Sequence, residues 1–144
     1  GATAKPEDTA LFSSLIEKYK HTPNIVFRHE NLIGKDWEDA LLSVDAIAMP
    51  YAAERYRYHW GAMLFTAIGY NKPVLVSPEL NPEVLEQFSI GCVIQSLEEE
   101  DIICAMQELV DLLSTKKEQT KVALEQANEA YSHEALILGI LDRK

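Results

Sequence analysis

The chain has 144 residues, 47% of them hydrophobic, and its 23 Asp and Glu outweigh 13 Lys and Arg for a formal net charge of −10. That length suits one domain with a core of its own, held without disulfides or metals. The charge excludes a broad grip on nucleic-acid phosphates or docking on an anionic membrane through a basic face, since both need clustered cations, and no apolar run reaches the ~18 residues of a membrane span.

The opening residues lack the apolar run of a signal peptide. Helical spacing over residues 7–20 puts Leu11, Leu15, Ile16 and Tyr19 on one face, with Pro6 at its start. Residues 24–28 (Asn-Ile-Val-Phe-Arg) read as a short strand, and residues 36–43 as an acidic helix turning Trp37, Ala40 and Leu41 inward. The run 45–49, closed by Pro50, reads as a strand buried on both faces. Residues 60–70 form an almost wholly apolar helix, 72–77 the next strand, 82–88 a short helix and 91–95 a last strand. From residue 98 onward the pattern is helical. Ile102, Ile103, Met106, Leu109, Val110 and Leu113 mark one face, a polar stretch at 114–120 marks a turn or exposed bridge, and a final helix carries Leu124, Ala127, Tyr131 and Leu138.

Short strands alternating with helices predict an α/β fold, a Rossmann-like parallel sheet flanked by helices, spanning residues 1–144 as a single domain. Such sheets bind ligands outside the carboxyl ends of their strands. Cys92 and Cys104 are too far apart for a paired metal or redox motif and read as reduced core thiols of a cytoplasmic protein. The run Glu98-Glu99-Glu100-Asp101 reads as a solvated helix start, where carboxylates suit the dipole, rather than as a metal cluster. Neither a metal nor a cofactor is expected.

The chemistry concentrates in the loop after the second predicted strand. Within this acidic chain Arg55, Arg57 and His59 stand close together, interleaved with Tyr51, Tyr56, Tyr58 and Trp60, and lead into a helix with Gly61 in its first turn. A helix start offers N–H donors and a positive dipole end, and glycine admits a ligand close to the backbone. That combination suits a phosphate. The same residues equally suit a surface loop with solvated arginines and a glycine kept for tight packing.

The run from Val44 to Tyr51, followed by the run from Trp60 to Ser77 with its Lys72-Pro73-Val74 segment, resembles the C-terminal half of GT-B glycosyltransferases of the retaining "group 1", family-four type. Asn24-Ile25-Val26-Phe27, Gly91-Cys92-Val93-Ile94, the helix at 101–113 and Tyr131-Ser132-His133-Glu134 resemble further segments of that pattern in the same order. The resemblance covers most of the chain. It implies the C-terminal half of a GT-B fold, incomplete relative to the family, within a longer two-domain enzyme whose acceptor-binding half precedes it.

The function implied is binding of the donor nucleotide-diphosphate sugar, UDP- or GDP-linked, for transfer to a saccharide or lipid-linked acceptor, with the isolated chain inactive. The implied location is cytoplasmic, peripheral to the inner membrane in the full-length protein. The implied donor contacts are Gly61 and Ala62 through backbone N–H groups, and Arg57 and His59 on phosphate or sugar. Arg28 and His29 would follow the strand beside the base, Glu54 would stand in as a sugar-contacting carboxylate, and residues 77–80 would line the same crevice. The family's spaced pair of glutamates aligns with Tyr58 and Thr66; Thr66 still offers a hydroxyl to a ribose. No catalytic residue is assigned. That departure keeps open a non-catalytic glycosyltransferase-like interaction or regulatory domain. A phospho-receiver is disfavoured because Ala48 stands where the receiver aspartate is needed.

Overall fold

A computed structural model describes residues 3–51, 53–57 and 61–141. The chain divides into two compact units, Gly1–Ala40 and Leu41–Lys144.

The first unit is built on α1 (Pro6–Tyr19), whose start is set by Pro6 in the first turn. Its expected apolar face is only partly covered. Leu11 stays exposed, and the helix buries no residue fully. Instead the Phe12 ring meets Phe27 edge-on at 6.0 Å and His29 at 4.7 Å. Residues 25–29 form no strand, which corrects the expected strand at 24–28. Asn24 enters this segment with a left-handed φ of 68°, and Val26 is exposed. A strand exists only where its N–H and C=O groups find a neighbouring strand, and this segment has none among the described residues. α2 (Gly34–Leu42) lies across the boundary between the units and buries Leu41, while Trp37 remains exposed.

The second unit is a mixed α/β arrangement around a three-stranded parallel sheet of order β1-β2-β3, formed by β1 (Ile47–Met49), β2 (Val74–Val76) and β3 (Gly91–Val93). Ile47 pairs with Val74, and Val74 with Gly91. The connections run through α3 (Ala62–Gly69) and α4 (Pro82–Gln87). After β3 come α5 (Glu99–Thr115), α6 (Lys117–Ala130) and α7 (His133–Leu141). Side chains alternate across a strand, so β2 feeds two cores. Val74 and Val76 pack with Leu64, Ile68, Val84 and Leu124 of α3, α4 and α6, whereas Leu75 packs with Ile94, Ala105 and Leu109 on the α5 side. Helices therefore cover both faces, and β2 is the strand buried at all three positions. The expectation that the first strand is buried on both faces does not hold: Ala48 of β1 is exposed, as befits an edge of the described sheet.

The turn expected within 114–120 is the break at Lys116, which separates α5 from α6. Three further expectations change. The single final helix is two, broken at Tyr131-Ser132, where the Ser132 hydroxyl accepts the Ala135 N–H at 3.1 Å and caps α7. The buried stripe of α5 runs through Ala105 and Leu109 with Ile102 and Leu113, leaving Ile103, Met106 and Val110 exposed. Cys104 shares that outer face, so it is not a core thiol; Cys92 is half-buried. Among the described residues no helix is long and apolar enough to cross a membrane.

Candidate functional site

The carboxyl ends of β2 and β3 open onto a crevice of about 280 Å³. Val76 and Val93, the last residues of those strands, form its floor. Leu80, Pro82 and Leu85 supply an apolar wall, and Ser77, Glu86 and Gln95 supply polar groups. A concave, mainly apolar lining with a few polar groups at strand ends is where parallel α/β sheets take ligands.

The turn between β2 and α4 is held by a small polar network. Ser77 is buried, its hydroxyl donates to the Tyr51 carbonyl at 2.7 Å, and its N–H donates to the Met49 carbonyl at 3.3 Å. The ends of β1 and β2 are thereby tied together. Asn81 is buried with a left-handed φ of 43°, a conformation asparagine tolerates better than most residues. Its Oδ1 accepts the Gly61 N–H at 2.9 Å, and its Nδ2 donates to Glu83 at 3.2 Å. A Cβ on Gly61 would lie 2.5 Å from Asn81 Oδ1 and 2.8 Å from the Leu80 side chain. Gly61 therefore sits directly behind the crevice wall, where an added Cβ would press on the ends of those two side chains.

After β1 the chain makes a 3-10 turn over Glu54–Arg57. The Tyr51 and Tyr56 rings stack at 4.6 Å and pack against the core. Burial, with the neighbouring Tyr56 hydroxyl, raises the Tyr51 pKa above the usual phenol range. The Arg55 guanidinium lies 5.1 Å over the Tyr56 ring and donates to its hydroxyl at 3.3 Å. Arg57 and Glu54 are exposed on the same turn.

The residues singled out from the sequence are thus distributed unevenly. Gly61 and Ala62 lie at the start of α3 and Thr66 in its middle, with Glu54 and Arg57 on the turn preceding it. The Gly61 N–H is engaged by Asn81, and the Thr66 hydroxyl donates to the Ala62 carbonyl at 2.9 Å. Tyr58 and His59 lie outside the described residues. Arg28 and His29 belong to the first unit, where Arg28 pairs with Glu30 at 2.9 Å and His29 meets Thr3 at 2.9 Å. Of residues 77–80, Ser77, Pro78 and Leu80 line this crevice, whereas none of the described donor-contact candidates does.

Sequence reading passed over Asn81, Glu86 and Gln95. The Asn81-Pro82 pair is a turn signal that pointed toward the first of these; the other two carry no local signal. Among the described residues no group of three His, Cys, Asp or Glu is placed to hold a metal ion. Comparison with protein families, with curated proteins and with solved structures finds no match to this chain.

Proposed function

We propose that the second unit is a Rossmann-like, GT-B-type donor domain whose crevice receives a nucleotide-diphosphate sugar, for transfer to a saccharide or lipid-linked acceptor bound by another part of the enzyme. The observation that carries the reading is the crevice at the carboxyl ends of β2 and β3, whose Ser77 is hydrogen-bonded to the Tyr51 carbonyl just after β1. About 280 Å³ is near the lower bound of ~300 Å³ for ligand pockets. It suits one sugar or nucleoside ring, with the diphosphate lying outside it. Gln95 and Glu86 offer partners for ring hydroxyls, and the apolar wall excludes water from one ring face. Arg57, exposed on the turn after β1, supplies a cation to a departing diphosphate, whose charge grows as the glycosidic bond breaks.

The test is a calorimetric titration of the chain with UDP and a UDP-sugar. Saturable binding is expected, weakened about tenfold by Arg57→Ala, which corresponds to ~1.4 kcal/mol. Unchanged affinity in that variant removes the loop from the site.

A second reading has its own observation. Two groups the resemblance assigns to the donor already have partners: the Gly61 N–H is bonded to buried Asn81, and the Thr66 hydroxyl to the Ala62 carbonyl of its own helix. That favours a glycosyltransferase-like interaction domain without transfer activity. Absence of any nucleotide-diphosphate binding selects this second reading.

A further inference from the structure

At the opposite end of the sheet, before the first residues of β1 and β2, lies a larger cavity of about 480 Å³. Its apolar surface comes from Pro73, Leu113 and Leu124. Its charge comes from Lys72, Lys117 and Lys121 against the single carboxylate of Asp45. Three ammonium groups around one cavity run against the character of a chain with net charge −10.

The three are held differently. Lys72 is half-buried, and its Nζ is fixed by the Leu42 and Val44 carbonyls at 3.2 and 2.7 Å. An ammonium has three N–H donors, so one donor remains after those two bonds. Lys117 and Lys121 stand one turn apart on α6, a like-charge spacing that disfavours the helix on its own. The Glu125 carboxylate approaches Lys121 only to 4.0 Å. An anion seated between this pair and Lys72 would relieve the repulsion and meet a fixed donor, while an apolar body rests on Pro73 and Leu124.

We propose that this cavity binds a small organic anion, a carboxylate or phosphate monoester carrying a compact apolar group. The site is independent of the crevice at the other end of the strands. Phenyl phosphate is a suitable probe, titrated at low salt into the isotope-labelled chain and followed by amide chemical shifts. Saturable shifts are expected at Asn71, Thr120 and Leu124. The dissociation constant should rise about tenfold in the Lys117→Gln/Lys121→Gln double variant. Both positions are exposed, so the remaining amide spectrum should match that of the parent and report an intact fold. Absence of saturable shifts overturns the proposal. So does equal affinity in the double variant, and so do equal shifts from uncharged phenol.

Discussion

Asn81 joins three parts of the structure through one side chain. It turns the chain out of β2, opens α4, and satisfies the Gly61 N–H behind the crevice wall. Asn81→Ala would leave that buried donor unpaired and force an alanine into the left-handed region. Together these costs come to roughly 2–3 kcal/mol. We expect the thermal midpoint to fall by about 5–10 °C, followed by circular dichroism. The residue was visible in the sequence only as a turn former before a proline. Its tie to Gly61 spans twenty positions and depends on how α3 and α4 pack, which local pattern does not contain. Gly61 shows the complementary case. Its position at the start of the apolar helix was legible, but its role is set by Leu80 and Asn81 pressing on it.

At the scale of elements, β3 begins with a glycine pressed against the β2 backbone. A Cβ on Gly91 would lie 2.0 Å from the Val74 carbonyl oxygen, inside the ladder that joins β2 to β3. That backbone cannot move aside without breaking the pairing. Gly91→Ala is expected to cost more than about 3 kcal/mol, read as a collapse of the urea midpoint, whereas alanine at the open Gly69 should be tolerated. The three strands of the described sheet were legible because each is a short apolar run bounded by Pro, Gly or Asn. The segment at 24–28 has the same composition and fails as a strand because composition cannot supply a pairing neighbour. Likewise the period of α5 was readable, but two apolar stripes overlap on it. Only contact with Leu75 and Ile94 decides that Ala105 and Leu109 face inward.

For the molecule as a whole, one titration reports on the packing of α5 against the sheet. Cys92 sits in β3 on that side, and burial, aided by the Glu108 charge and opposed by Lys116, raises its thiol pKa. The folded state then holds the proton more tightly than the unfolded chain. The corresponding stability is fully present below the ordinary thiol value of about 8.5 and is lost as pH rises through the folded value. Urea unfolding across this range should show stability declining from about pH 8.5 upward, and Cys92→Ala should flatten that decline.

The same whole-molecule view sets the two ends of the sheet apart, with a nearly uncharged crevice at the carboxyl ends and a lysine-lined cavity at the amino ends. The central claim is that the carboxyl-end crevice, together with Arg57 of the turn after β1, receives a nucleotide diphosphate. Calorimetric titration with UDP, compared with uridine and with the Arg57→Ala variant, tests it most directly. The account predicts saturable UDP binding that exceeds uridine binding and weakens about tenfold in the variant. Equal heats for UDP and uridine, or no saturable heat from either, would contradict it.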